Sequence, residues 1–337
     1  MLVNKTHVEQ PPVATAPAPL ELSRVLEQHR VELNGYCYRM LGSAFETEDA
    51  VQETLVRAWR GYQQFEGRSS VRSWLYRIAT NVCLSMVSAR QRRARPMDLG
   101  PARSADSALG AALDEATWLE PVPDGLVVLS GSDPAEQLAS RETVRLAFVA
   151  ALQLLPAKQR AALILHEVLH WTAAEVADLL GTSVASINSA LQRARATLAA
   201  QQPALRDTTH LQDEAQRQLL GRYVDAFERW DVDSLVALLH EDVTLQMPPF
   251  ALWLRGPEQL RQWFLGTGAG CAGSRLIPVS ANGSPAFGQY KPNDQGVRVP
   301  FAVHVLETRD GRIVGQHSFL DVERLFPLFG LPTHEPA

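Results

Sequence analysis

Between Thr172 and Leu198 an alanine, a glycine and an isoleucine stand at the spacing that two short helices need to pack across a tight turn. Ala177 lets the helices approach closely, Gly181 permits a left-handed turn, and Ile187 plugs the second helix into the core. That second helix buries Ile187, Ala190, Leu191, Ala194 and Leu198, leaving Ser186, Asn188, Ser189, Gln192, Arg193 and Arg195 on its outer face. No acidic residue occurs from Leu179 to Arg206, so the outer face would not repel phosphate. The spacing thus points to a helix-turn-helix presented to duplex DNA. A helical hairpin with a solvated polar face is the plainer alternative.

The 337 residues, 46% of them apolar, suffice for two or three domains and exclude a wholly disordered or fibrous chain. Residues 1–20 hold Pro11, Pro12, Pro17 and Pro19 and lack the basic start and apolar centre of a signal peptide, so they read as an unstructured tail. From 21 to 95 the period is helical, with Val51, Leu55, Ala58 and Trp59 on one stripe. A second stripe, Val71, Trp74, Leu75, Ile78, Ala79, Val82 and Met86, leaves Arg77, Asn81 and Ser85 on the opposite face, with Arg72 and Tyr76 beside them. Residues 96–133 are broken by prolines and glycines and read as a linker. Its apolar island from Trp118 to Leu129 requires a covering surface. Helical periodicity resumes from Asp133 to Leu155, again over Lys158 to His170, and through the helix-turn-helix, giving a second helical unit over 134–203. A helix around Leu211 to Trp230 then leads into short apolar runs at Val243–Met247, Val299–Leu306 and Ile313–Val322, an α+β domain over 211–330.

Charge separates these parts. Residues 1–206 carry 21 Lys+Arg against 21 Asp+Glu, and residues 207–337 carry 11 against 16, so the net −5 belongs to the C-terminal domain. In the first unit Glu46, Glu48, Asp49 and Glu53 precede Arg68, Arg72, Arg77, Arg90, Arg92, Arg93 and Arg95, with no acid between Gly67 and Met97. An acidic face followed by a basic helix from Val71 to Arg95 suggests two different partners. Cys37, Cys83 and Cys271 form no Cys-x-x-Cys pair, which fits reduced thiols and gives no zinc pattern. His166 and His170, four apart on a helix, lack a third ligand and are read as structural or surface residues. No metal or cofactor is expected. No stretch has the roughly 18 consecutive apolar residues of a membrane span, and the protein is expected in the cytoplasm.

Two long stretches carry a resemblance. FETEDAVQETLVRAWRGYQQFEGRSSVRSWLYRIATNVCLSMV (Phe45 to Val87) and LPAKQRAALILHEVLHWTAAEVADLLGTSVASINSALQRARATL (Leu155 to Leu198) resemble the two domains of extracytoplasmic-function sigma factors of bacterial RNA polymerase. The resemblance extends to WLEPVPD (Trp118 to Asp124) and to a C-terminal domain similar to the SnoaL-like, ketosteroid-isomerase-like cone fold. It implies two all-α sigma domains followed by an α+β cone domain. By the same resemblance, Glu48, Asp49, Gln52, Glu53 and Arg57 would dock on the β′ clamp helices of core polymerase, with the β flap as a further contact. Gln64 to Ser70, including Arg68 and Ser69, would capture a flipped base of the −10 element, and Arg72, Arg77 and Asn81 would track the unpaired strand. Ser183 to Arg195, including Ser186, Asn188, Ser189, Gln192 and Arg193, would read the −35 element as duplex.

The C-terminal domain leaves two classes of function open. A cone fold encloses an apolar pocket, which Trp253, Trp263, Phe264, Tyr290, Phe301 and Phe319 are expected to line, with His304, His317 and Asp321 as polar groups that suit a small-molecule ligand. An enzyme would use Asp321 and His317 for proton transfer, a weak signal because even spacing puts any two strand residues on one face. Promoter recognition is therefore the leading function, without catalysis. A ligand-sensing helix-turn-helix regulator and an enzyme of the C-terminal pocket stand as alternatives, and the acidic Glu46–Glu53 face favours the first.

Overall fold

The computed structural model describes residues 19–67, 69–88, 92–128, 133–200 and 213–334. The expected tail lies outside them except for Pro19 and Leu20, which open the first helix. That unit comprises α1 (Pro19–Glu27), α2 (Arg30–Leu41), α3 (Ala44–Gly61) and α4 (Val71–Ser88). Ser43 caps α3 by accepting from the Glu46 amide, satisfying one of the amides a helix start leaves free. Val51, Thr54 and Ala58 of α3 are buried, but Trp59 is 44% exposed and leaves the expected stripe. Eight residues at about 100° each place it ~80° past Val51, on the edge of the outer face.

The second unit contains α5 (Pro134–Val144), α6 (Leu146–Gln153), α7 (Ala157–Leu163), α8 (Ala173–Leu179) and α9 (Val184–Ala199), and α7 runs on into a π-helical turn to Val168. The single helix expected from Asp133 to Leu155 breaks at Arg145, whose ψ is 144°. The break turns Val144 toward the linker and Leu146 toward the C-terminal domain. The two helical units share one core, in which Leu33, Tyr36, Leu75 and Tyr76 meet Leu163, Trp171, Ile187 and Leu191. Buried Arg160 closes the seam by donating to the Met40 carbonyl and to Gln153 Oε1 at 2.6 Å. Arg39 does the same on the other side, donating to Thr143 Oγ1 at 2.7 Å.

The C-terminal domain has α10 (Asp213–Glu228), α11 (Val232–Ala237), α12 (Pro257–Leu265) and α13 (Val322–Leu328) around a six-stranded sheet in the order β2-β1-β6-β5-β4-β3. Its strands are β1 (Leu239–Gln246), β2 (Trp253–Arg255), β3 (Arg275–Ala281), β4 (Ser284–Pro292), β5 (Arg298–Arg309) and β6 (Arg312–Phe319). Only the β1–β6 pair is parallel among the described strands. Two-residue turns, Asn282-Gly283 and Asp310-Gly311, close the β3–β4 and β5–β6 hairpins with positive φ at both residues. Positive φ at both positions is the type I′ geometry that matches strand twist.

The linker is docked along its described length. Ala94 bridges Trp118, the Arg103 amide donates to the Trp253 carbonyl at 2.9 Å, and the Leu113 amide donates to the Pro249 carbonyl at 2.9 Å. Trp118, Leu119, Val122 and Val127 are buried, the last three with Tyr38, Val144 and Val149. At about 1.5–3 kcal/mol for each fully buried large apolar side chain, the island is a principal source of cohesion between the parts.

Candidate polymerase and promoter interfaces

On α3, Glu48, Asp49, Gln52, Glu53 and Arg57 are all exposed, while the opposite face is sealed in the core. Arg57 donates to Glu53 at 2.7 Å, an exposed i,i+4 pair that adds little stability. Exposed Val56 and Trp59 stand on the same helix, an apolar patch beside the acids that the sequence reading missed. Glu46 does not belong to this outer face. It is buried with Arg93 at 2.6 Å, and Arg93 also donates to the Trp118 carbonyl at 2.6 Å. The basic helix expected to reach Arg95 ends at Ser88, and Arg92 to Arg95 are not helical. Two buried charges are tolerable only when paired and hydrogen-bonded, and leaving the helix gives Arg93 both Glu46 and the linker carbonyls.

On α4, Arg77, Asn81, Ser85 and Ser88 form an exposed row. Tyr76, expected beside that row, is fully buried and packs edge-on against Trp171 at 5.4 Å. Arg72 lies partly buried over the Tyr76 ring and donates to Glu32 at 2.7 Å. Burial alone would raise the Glu32 pKa, but hydrogen bonds from His29 and Arg72 outweigh it and hold the carboxyl below its ordinary value. Trp74 stacks with Phe65 at 4.9 Å and packs on the shared core. Ser69 is exposed; Arg68 lies outside the described residues. Arg77 is ion-paired with Asp178 of α8, so the α4 row and the helix-turn-helix face each other.

The helix-turn-helix is built from local signals. Thr172 and Glu175 form a reciprocal capping box on α8, Gly181 adopts φ 60°, and Ser183 caps α9. Ile187, Leu191 and Ala194 are buried, and Ser186, Asn188, Ser189, Gln192, Arg193 and Arg195 are exposed. Arg195 is ion-paired with Glu167. His166 Nδ1 bonds the Trp171 carbonyl at 2.7 Å, and no cluster of three metal-ligating side chains exists among the described residues.

In the C-terminal domain a cavity of about 360 Å³ lies between the sheet and α12. Trp263, Phe264, Phe301 and His304 line it as expected, together with Gln289, Gln316 and Lys291. Trp253, Tyr290, Phe319, His317 and Asp321 do not. Strand alternation decides this, since Gln316 and Ser318 face the cavity and their neighbours His317 and Phe319 face the other side. Asp321 lies beyond the end of β6, and the carboxylate beside His317 is Glu307 at 3.3 Å. Burial alone would raise Glu307; the charge and hydrogen bond of His317 outweigh it and hold the carboxyl at about 2. The proposed Asp321–His317 proton relay is therefore not assembled.

His304 is bonded on both ring nitrogens, by Ser318 at 2.8 Å and Gln289 at 2.6 Å, and burial pushes its pKa down to about 4. The folded state thus holds the imidazole neutral, while the unfolded chain protonates it near the ordinary histidine value of about 6.5. This contribution is fully present above that value and is lost as pH falls from about 6.5 to about 4, up to roughly 3 kcal/mol. Urea titrations at pH 7 and pH 5 are expected to show a smaller stability loss in His304→Gln than in the parent. Equal losses would remove His304 as a source of acid sensitivity.

Known proteins share this arrangement. Residues 25–93 match the model of Sigma-70 region 2, residues 145–198 that of Sigma-70 region 4, and residues 220–316 that of a SnoaL-like domain. The chain is 44% identical over 317 residues to the ECF RNA polymerase sigma factor SigG of Mycobacterium tuberculosis, covering 93% of this chain and 84% of that one. It belongs to the ECF RNA polymerase sigma factors. A second relative, the ECF RNA polymerase sigma factor SigJ of the same organism, is 29% identical over 300 residues, covering 85% of this chain and 88% of that one. The crystal structure of Mycobacterium tuberculosis SigJ matches the fold with a TM-score of 0.60 over 93% of this chain and 99% of that chain, at 23% identity. This sigma factor accordingly acts with RNA polymerase on promoter DNA to start transcription. No helix among its described residues is long and apolar enough to cross a membrane.

Proposed function

We propose that this sigma factor docks on the β′ clamp helices through Glu48, Asp49, Gln52, Glu53 and Arg57, with the second unit meeting the β flap. Val56 and Trp59 add apolar contact area to that docking face. The loop from Gln64 to Ser70, with Arg68 and Ser69, captures a flipped −10 base, and Arg72, Arg77 and Asn81 hold the unpaired backbone beside it. A base must leave the stack before its pairing edge can be read, and cations keep the strand in place meanwhile. Ser186, Asn188, Ser189, Gln192 and Arg193 read the −35 duplex in the major groove. The carrying observation is that the α3 and α9 side chains of this set are all exposed on helices whose opposite faces are committed to the core. A cytoplasmic site of action follows from work on RNA polymerase. The cone cavity, largely apolar with the Lys291 ammonium and no carboxylate in its lining, suits a small apolar molecule that bears an acceptor or anionic group.

This arrangement is a resting one. Elements at −10 and −35 lie about 25 base pairs apart, on the order of 80 Å at ~3.4 Å per pair, whereas Arg77 of α4 touches Asp178 of α8. The second unit must therefore leave α4 before both elements are read together. Asn81→Ala, at an exposed position of α4, is expected to slow open-complex formation several-fold while leaving closed binding near the parent value. Permanganate footprints of the melted region should fade. Arg77→Ala removes a strand contact but also frees Asp178, so its loss should be smaller at equal promoter occupancy. Unchanged footprints in Asn81→Ala would take this helix out of the assigned role.

A further inference from the structure

We infer that the cavity between the linker and the outer face of the α+β domain is a second small-molecule site, separate from the cone cavity, for a neutral, largely apolar, ring-bearing ligand. It measures about 460 Å³, within the range of roughly 300–1,000 Å³ typical of such sites. Leu113, Trp118 and Leu119 of the linker form one wall; Phe250, Phe319 and Leu325 form the other. Trp118 is only 3% exposed, so its ring is a fixed part of the linker wall.

Charge excludes acids from this site. Arg324 is shared among Glu115, Glu120 at 3.6 Å and Asp321 at 3.4 Å, so three carboxylates meet one guanidinium along the lining. A ligand carboxylate or phosphate would meet the excess negative charge, whereas a ketone, amide or ether would not. The linker and the domain each supply half of the cavity, so the site exists only while the linker is docked. Occupancy consequently favours the docked arrangement by mass action. Lower promoter output then follows if the resting arrangement proposed above is correct, and that consequence rests on the earlier reading while the binding does not.

The test uses the full chain and prodan, a neutral naphthyl ketone whose emission moves to shorter wavelength in apolar surroundings. Saturable binding with that shift is expected. Trp118→Leu removes the aromatic ring from the linker wall and should weaken binding about tenfold. Leu113→Trp, at the 41% exposed rim, should block it. Cys271→Phe fills the cone cavity instead and should leave it unchanged. Bound prodan should also slow tryptic cleavage at exposed Arg103 of the linker. No saturable binding overturns the assignment, as does binding lost in Cys271→Phe but retained in Trp118→Leu and Leu113→Trp. Run-off transcription is read separately: binding with the expected variant pattern and no change in output upholds the site and removes its regulatory consequence.

Discussion

Asn282→Ala is expected to loosen the α+β domain from both helical units at once. The Asn282 side chain is fully buried at the tip of the β3–β4 hairpin, where its Nδ2 donates to the Tyr38 hydroxyl at 2.6 Å and to the Val144 carbonyl at 2.8 Å. Its Oδ1 accepts from the Val122 amide at 3.0 Å, so one side chain joins α2, the linker and the end of α5. Alanine strands these buried groups, each at about 1–3 kcal/mol, and also keeps a left-handed φ of 55° that asparagine tolerates better. We expect a combined loss of about 3–5 kcal/mol in urea titration, together with faster tryptic cleavage at Arg103. Gly283 admits no larger residue, because a Cβ would come within 2.5 Å of the Arg141 carbonyl oxygen at φ 64°. A parent-like transition and cleavage rate in Asn282→Ala would show that the hairpin tip does not hold the parts together.

Asp49→Lys with Glu53→Lys is expected to abolish stable binding to core polymerase while leaving the fold intact. Both side chains are exposed, and the Glu53–Arg57 pair is itself exposed, so the melting transition should move little. Placing two cations where a basic partner surface is met costs several kcal/mol at such an interface, roughly a hundredfold or more in affinity. Native mass measurement or co-purification with core reads this directly. Parent affinity in the double variant would place the docking face elsewhere, with Val56 and Trp59 as the next residues to change.

The helical parts were legible because their signals are local. Ala177, Gly181 and Ile187 marked the helix-turn-helix, and the period of α4 put Arg77 and Asn81 outside. What escaped the sequence reading depends on tertiary partners. Nothing in the run Arg90 to Arg95 says that Arg93 turns inward, since its partner Glu46 is far away in sequence. The apolar island announced that a cover was needed, but not that it would be Tyr38, Val149 and the hairpin tip. In the α+β domain, assigning His317 and Phe319 to the cavity placed them on the wrong side of β6, and one residue of register moves every side chain to the opposite face. The strands β3 and β4 were passed over although Asn282-Gly283, like Asp310-Gly311, is a strong hairpin signal. Reading those dipeptides as turns would have recovered the hairpins but not the surface that Asn282 enters.

We propose that the docked C-terminal domain restrains the promoter-specific initiation that this sigma factor directs. Run-off transcription with purified core polymerase and genomic promoter fragments tests both parts, comparing the full chain with Asn282→Ala at matched concentration and salt. Promoter-specific transcripts are expected from the full chain, and more of them from Asn282→Ala, because the second helical unit then leaves α4 more readily. Identical output from the two proteins, or none above core polymerase alone, would contradict the proposal.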